Sequence, residues 1–105
     1  MAQRRVFTVR TPLEYCVFLT RDRWRYIVRF KHPAMAGREP DVRACLETPL
    51  LVKASTKEPE VHLYYRAAEV GFLCVVTAPT ESDERFVVTA YFTGSIKSGN
   101  ELWKS

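Results

Sequence analysis

The sequence predicts an α+β fold in which N-terminal helices pack on a four-stranded antiparallel β-sheet. Helical periodicity of the apolar residues is confined to residues 21–46. From residue 50 onward the apolar residues recur at alternate positions, which is the period of a β-strand. The chain has 105 residues, 47% of them hydrophobic, which suits one domain with a buried core. Residues 1–105 are therefore expected to form a single domain.

The first helix is predicted over residues 21–31. Thr20 is a good N-cap, and Asp22 places an acidic side chain in the first turn, where it interacts favourably with the helix dipole. The helix ends before Pro33, because the residue that precedes a proline is pushed out of the helical region. Ahead of this helix, the segments RVFTVR and EYCVFLT are candidates for one or two further strands.

A second helix is expected over residues 39–46, and four strands follow it. Pro40 suits the first turn of a helix, and Thr48-Pro49 ends it. The strands are predicted at residues 50–54, 61–66, 72–76 and 85–93. The connections between them are short and polar, so we expect hairpins and an antiparallel meander.

The positive charge is concentrated in the N-terminal half of the chain, although the net charge is only +4. Residues 1–48 contain ten Lys and Arg against five Asp and Glu, whereas residues 49–105 contain six against seven. Steps of four residues place three arginines of the first helix on one stripe, namely Arg21, Arg25 and Arg29. A cationic stripe of this kind favours a phosphate-bearing partner.

Two predicted strands each present a polar face that is rich in reactive side chains. Alternation predicts these faces as His62, Tyr64 and Arg66 on residues 61–66, and Thr89 and Tyr91 on residues 85–93. An ordinary solvated face of an antiparallel sheet is the alternative interpretation. Arg, Tyr, His and Thr are nevertheless hydrogen-bond donors and proton carriers rather than side chains that only confer solubility.

Metal-free RNA cleavage requires side chains of these types. The attacking 2′-hydroxyl must lose a proton, the leaving oxygen must gain one, and fixed donors must meet the charge on the phosphorane oxygens. Arginine matches two phosphate oxygens, histidine and tyrosine can transfer protons, and tyrosine can also stack on unpaired bases.

Three segments resemble a known group of nucleases. They are LTRDRWRYIVRFKHPAM, ETPLLVKASTKEPEVHLYYR and FLCVVTAPTESDERFVVTAYFTGSIKSGNELW, which span about residues 19–103. They are similar to the phage- and mobile-element-associated families of the barnase-EndoU-colicin-RelE (BECR) superfamily. The most specific matches are His32-Pro33, Tyr65-Arg66, and Thr89-Ala90-Tyr91 followed by Lys97 and Trp103. The chain has Asp22-Arg23-Trp24 where those families usually have Glu-Arg-Trp.

The resemblance implies a RelE-like fold and a metal-independent endoribonuclease, in several families a toxin or a tRNA-directed enzyme. Carried over by position, it implies four catalytic residues, which are His32, Arg66, Thr89 and Tyr91. Arg66 with Lys97 would hold the scissile phosphate, His32 or Tyr91 would transfer protons, and Thr89 would orient them. We expect the RNA to be bound by Arg21, Arg25, Arg29, Tyr64 and Lys97.

Several of these residues also have purely structural interpretations. His32 can cap the first helix, Arg66 can pair with a nearby acid such as Glu69, and Lys97 can be a solvated turn lysine. Two further functions therefore stay open beside the nuclease. One is a non-catalytic domain that binds nucleic acid or protein on the same scaffold. The other is an accessory protein whose aromatic face meets a partner chain, for example an antitoxin.

No cofactor, metal or membrane is expected as a partner. The four glycines form no G-x-G-x-x-G, the three cysteines form no C-x-x-C, and the two histidines lie far apart. No apolar run approaches the roughly 18 residues that a membrane span needs. The N-terminus lacks the apolar stretch of a secretory signal, so we expect a cytoplasmic protein.

Overall fold

The computed structural model describes residues 3–105, which form one seven-stranded mixed β-sheet with helices packed against one face. The strands are β1 Arg5–Arg10, β2 Cys16–Thr20, β3 Leu51–Ala54, β4 His62–Ala67, β5 Phe72–Pro79, β6 Arg85–Thr93 and β7 Glu101–Lys104. The helices are α1 Arg21–Tyr26 and α2 Glu39–Glu47, with a π-helical turn at Ile27–Lys31 and a 3-10 turn at Pro33–Met35. No helix among the described residues is long and apolar enough to cross a membrane.

The predicted RelE-like fold, a four-stranded antiparallel sheet with N-terminal helices, is wrong. The strand order is β1-β2-β6-β5-β4-β3-β7, and the chain begins with two strands rather than with a helix. β2 runs parallel to β6, whereas all other neighbours are antiparallel. The additional strand β7 contains only one apolar pair, Leu102 and Trp103, which is too short for a periodic pattern to indicate a strand.

The segment between β2 and α2 is helical over residues 21–31, but in two forms. The Thr20 hydroxyl accepts a hydrogen bond from the Arg23 backbone N–H at 3.1 Å and caps α1. From Ile27 the helix widens, and the His32 N–H donates to the Ile27 carbonyl five residues earlier at 2.7 Å. The π-helical turn therefore delivers His32 to the point where Pro33 ends the helix.

This helical segment lies beside the edge of β6. β2 pairs with β6 only as far as Phe86, so that no strand within residues 3–105 lies beside the rest of this β6 edge. α1 and the 3-10 turn contact β6 instead. Side chains of the segment consequently contact residues on both faces of the sheet.

The main core lies between the helices and one face of the sheet. The helices bury Trp24, Ile27, Met35, Val42, Cys45 and Leu46 against strand residues that include Val17, Leu19, Tyr64, Val75 and Val87. The other face, which we call the second face, has a smaller buried cluster of Leu63, Tyr65 and Cys74. None of the buried helix residues within residues 3–105 belongs to that cluster, which is covered in part by Ile96.

The sequence analysis assigned the faces of β4 in the opposite sense. His62 and Tyr64 are buried on the helix-covered side, whereas Leu63 and Tyr65 lie on the second face. Strict alternation also fails in β6, because Val76 pairs with Thr89 while Thr77 pairs with Val87. The extra residue between them is a bulge, so that Val87 and Ala90 both face the main core.

A buried arginine lies on the helix-covered side near one end of β4, β5 and β6. Arg85 is only 5% exposed, and its guanidinium donates to the carbonyls of Glu60 at 2.6 Å and Thr77 at 3.2 Å. His62 is buried beside it, and its Nδ1 has no hydrogen-bond partner among the described residues. Burial, reinforced by the Arg85 charge, lowers the pKa of His62 from 6.5 to about 4.

His62 is therefore expected to make folding sensitive to mild acid. The folded protein keeps His62 neutral, whereas the unfolded chain protonates it below pH 6.5, so that the unfolding free energy falls between pH 6.5 and about 4. We expect this loss to be on the order of 2 kcal/mol. Urea unfolding at pH 7.5 and pH 4.5 measures it, and His62→Leu should reduce the difference between the two pH values. His32→Ala is the matched control and should keep the wild-type difference in unfolding free energy between the two pH values. An equal difference in wild type and His62→Leu would contradict this role.

Candidate functional site

The site begins with a contact between His32 and Tyr91, which are far apart in the sequence. Their rings meet on the second face with centroids 5.3 Å apart and planes tilted by 33°. Tyr91 is fixed by its place in β6, opposite Cys74 of β5. His32 is held by the end of the π-helical turn on one side and, three residues later, by the fully buried Met35. Both rings are thus positioned by rigid elements.

Tyr91 and a second tyrosine flank Cys74 on the second face. Cys74 pairs with Tyr65 on β4 and with Tyr91 on β6. Burial raises the pKa of Tyr91 far above its usual value of 10, and Cys74 adds to the shift. Burial also raises the pKa of Tyr65. Both phenols therefore stay protonated at neutral pH, so that each keeps an O–H that can be donated.

Lys97 reaches the same cluster from the segment between β6 and β7. Its backbone N–H donates to the Tyr65 hydroxyl at 3.1 Å, and its charge favours the thiolate form of Cys74, although burial dominates and raises the pKa of that thiol. Gly99 lets the segment approach β3 closely, because a Cβ there would lie 2.3 Å from the Ala54 carbonyl oxygen. The segment thus brings Lys97 to the second-face cluster at Tyr65, which lies two strands away from Tyr91.

Thr89 lies on the second face, two residues before Tyr91 on the same strand. It pairs with Val76, which packs on the second-face cluster. Its Oγ1 is buried and makes no hydrogen bond to any residue of the described chain. Leaving a buried hydroxyl unpartnered costs about 1–3 kcal/mol. The Thr89 hydroxyl thus retains an unused donor just beneath the second face.

Two of the expected site residues lie on the other side of the sheet. Arg66 donates to the carbonyls of Ala44 at 3.3 Å and Thr48 at 2.8 Å and to the Thr48 hydroxyl, and so it caps the C-terminus of α2. Tyr64 is fully buried, and its hydroxyl donates to Thr11 Oγ1 at 2.9 Å. Neither side chain joins His32 and Tyr91.

The arginine stripe is exposed, and none of its three guanidinium groups lies over a second-face ring within residues 3–105. Arg21, Arg25 and Arg29 are all exposed on the helical segment. Arg23 is the residue that lies over a second-face ring, with its guanidinium carbon 5.7 Å from the centroid of Phe86. Arg25 follows two residues later and is turned about 200° from Arg23 around the helix. Arg23 was not predicted as a site residue, because the stripe with four-residue spacing does not include it.

The helical segment 21–31 carries five Arg and Lys against one Asp. The ion pairs within residues 3–105 lie elsewhere, at Arg5–Glu84, Arg10–Glu14, Arg38–Asp41 and Arg43–Glu47. The cations of the segment and Lys97 are therefore not neutralised by a neighbouring carboxylate in the described part of the chain. No group of three or more His, Cys, Asp or Glu that could hold a metal ion occurs among those residues.

Comparison with known proteins identifies no relative of this chain. No protein-family model matches the chain, and no curated protein or solved structure is significantly similar to it. The function is therefore inferred from the geometry of the second face.

Tyr65 and Cys74 were not expected as site residues. Tyr65 was noted in the sequence as part of the Tyr65-Arg66 pair. The faces of the strand were assigned so that Arg66, and not Tyr65, was expected to face the site. The short apolar strand around Cys74 offered no comparable signal, because a buried cysteine is usually a small hydrophobic residue.

Proposed function

We propose that the protein is a metal-independent endoribonuclease that cleaves RNA through attack of the 2′-hydroxyl, with its active site on the second face. The observation that carries this proposal is the contact between His32 and Tyr91. It combines an imidazole, which can accept a proton, with a phenol that stays protonated. The three segments that resemble BECR nucleases favour the same reaction class.

In the proposed reaction, His32 removes the proton from the 2′-hydroxyl, and the 2′-oxygen forms a bond to phosphorus. The bond from phosphorus to the 5′-oxygen breaks, and Tyr91 gives that oxygen a proton. The products are a 2′,3′-cyclic phosphate and a 5′-hydroxyl. Lys97 offsets the charge on the phosphorane oxygens, and the Thr89 hydroxyl donates a hydrogen bond to one of them.

The proposed roles differ from those that the resemblance implied. In the proposed site Lys97 takes the role of Arg66, because Arg66 lies on the helix-covered side whereas the backbone of Lys97 contacts Tyr65 of the second face. Among the arginines of the helical segment, Arg23 is the one that borders this face. RNA, tRNA included, is thus the proposed substrate, bound along the second face and the helical segment that flanks it.

We place this enzyme in the cytosol. Cys16, Cys45 and Cys74 are all free thiols, which is typical of a reducing compartment. A ribonuclease in that compartment requires restraint, and an antitoxin-like protein that covers the second face would provide it.

The proposal is tested by incubating the purified protein with tRNA and with total RNA in EDTA. We expect discrete fragments that carry 2′,3′-cyclic phosphate and 5′-hydroxyl ends, because no metal takes part in the proposed reaction. Gel analysis with end labelling measures both features. RNA that stays intact over a wide range of protein concentrations would contradict the proposal.

A second candidate function is RNA binding without cleavage. It is favoured by the cations of residues 21–31, which no carboxylate of the described chain neutralises. Filter binding over a salt series distinguishes it from the nuclease: affinity that falls with salt while no product forms supports binding alone.

A further inference from the structure

The helical segment carries an exposed aromatic pair next to the proposed active site. Phe30 is 68% exposed and Tyr26 is 44% exposed, and their ring centroids lie 5.6 Å apart. Most of the Phe30 side chain therefore stays in water instead of being buried in the core. We call these two rings the aromatic platform.

Cations surround the aromatic platform. The Arg29 guanidinium lies 5.5 Å from the centroid of Phe30. Arg23 and Lys31 lie 5.9 Å and 6.0 Å from the centroid of Tyr26. Aromatic rings interleaved with cations match single-stranded nucleic acid, whose bases stack on the rings while its phosphates meet the charges.

The aromatic platform is continuous with the proposed active site. Arg23 lies over Tyr26 and also over Phe86 of the second face. Two residues after Phe30, the same segment ends at His32, whose ring contacts Tyr91. The aromatic platform and the His32–Tyr91 contact thus lie on one helical segment, and Arg23 joins the platform to the second face.

From this arrangement we infer that Tyr26 and Phe30 form a base-stacking subsite that selects unpaired RNA. This inference rests on the proposed function, because it specifies the form of RNA that the site accepts. In duplex RNA the bases are stacked on one another and offer no free face to the platform, so that only single-stranded segments can use it.

The test measures binding of RNA that cannot be cleaved. Fluorescein-labelled 2′-O-methyl oligouridine of 12 nucleotides is compared with a 2′-O-methyl hairpin duplex by fluorescence anisotropy. We expect wild type to bind the single strand at least about 10-fold more tightly than the duplex. Phe30→Ala and Tyr26→Ala should each weaken single-strand binding by about 5- to 100-fold.

Salt dependence separates stacking from charge. Phe30→Ala should leave the slope of log affinity against log salt unchanged, whereas Arg29→Gln should reduce its magnitude by about 0.7. Val70→Ala is the matched control, since Val70 is 86% exposed and lies in the turn between β4 and β5. It should bind like wild type.

Three results would overturn the inference. The first is equal binding of the hairpin and the single strand by wild type, and the second is unchanged binding by Phe30→Ala. The third is that the aromatic variants keep RNA binding but lose either binding to anionic phospholipid vesicles or self-association. Because the probe cannot be cleaved, cleavage of ordinary RNA is scored separately. Base stacking on the aromatic platform can therefore fail while RNA cleavage is observed, or be observed while cleavage fails, and the two cases are distinguishable.

Discussion

His32→Ala is expected to lower the rate of RNA cleavage by about 10²- to 10⁴-fold, the usual contribution of a positioned acid or base. Tyr91→Phe should cause a loss within the same range. It retains the ring that contacts His32 and removes only the hydroxyl that would protonate the leaving oxygen. Single-turnover cleavage of a labelled RNA measures both rates.

Two controls keep this expectation specific. Lys104→Ala removes an exposed cation at the far end of the sheet, on β7, and should cleave RNA like wild type. Binding of the uncleavable oligonucleotide should change less than about threefold in His32→Ala and Tyr91→Phe, because their proposed roles lie in proton transfer. Wild-type cleavage by both variants would show that the second face is not the active site.

Arg66→Met is expected to reduce stability rather than activity. Arg66 donates to the carbonyls of Ala44 and Thr48 and to the Thr48 hydroxyl, at the negative end of the α2 dipole. Charged hydrogen bonds of this kind contribute about 1.5–3 kcal/mol. Loss of about 2 kcal/mol corresponds to a Tm lower by roughly 10 °C, which a thermal melt measures.

Arg43→Met supplies the comparison for Arg66→Met. Arg43 forms an exposed pair with Glu47 on the same helix, at 3.6 Å, and its loss should cost under about 0.5 kcal/mol. At a temperature well below both melting points, Arg66→Met should cleave RNA within about twofold of wild type. If Arg66→Met kept the wild-type Tm but abolished cleavage, Arg66 would instead be the residue that holds the phosphate, as the resemblance implied.

Local sequence signals identified most elements but not their assembly. Thr20 and Pro33 mark the beginning and end of the helical segment because capping and proline sterics act within a few residues. The pairing of β2 with β6 joins residues that are more than 60 positions apart, and no local pattern specifies it. A sheet of seven strands could therefore not be derived from the four strong strand patterns.

For the candidate site, too, the sequence identified residues but not the side of the sheet on which each of them lies. His32, Thr89, Tyr91 and Lys97 were all expected from the sequence, and the structure places them on or at the rim of the second face. Arg66 and Tyr64 were assigned to the wrong side of the sheet, because Tyr64 looks polar but buries well when a neighbour, here Thr11, supplies a partner for its hydroxyl. The bulge in β6 also disturbed the period on which the face assignment depended.

The most direct measurement concerns the nucleophile. An RNA oligonucleotide is prepared with one 2′-deoxy substitution on the 5′ side of the bond that the protein cuts, and its cleavage is compared with that of the unsubstituted RNA in EDTA. Attack by the 2′-hydroxyl predicts that the substituted bond stays intact while neighbouring sites and overall binding are unaffected. Cleavage of the substituted bond at an undiminished rate would contradict the proposed reaction, because another nucleophile, such as water, would then attack the phosphate.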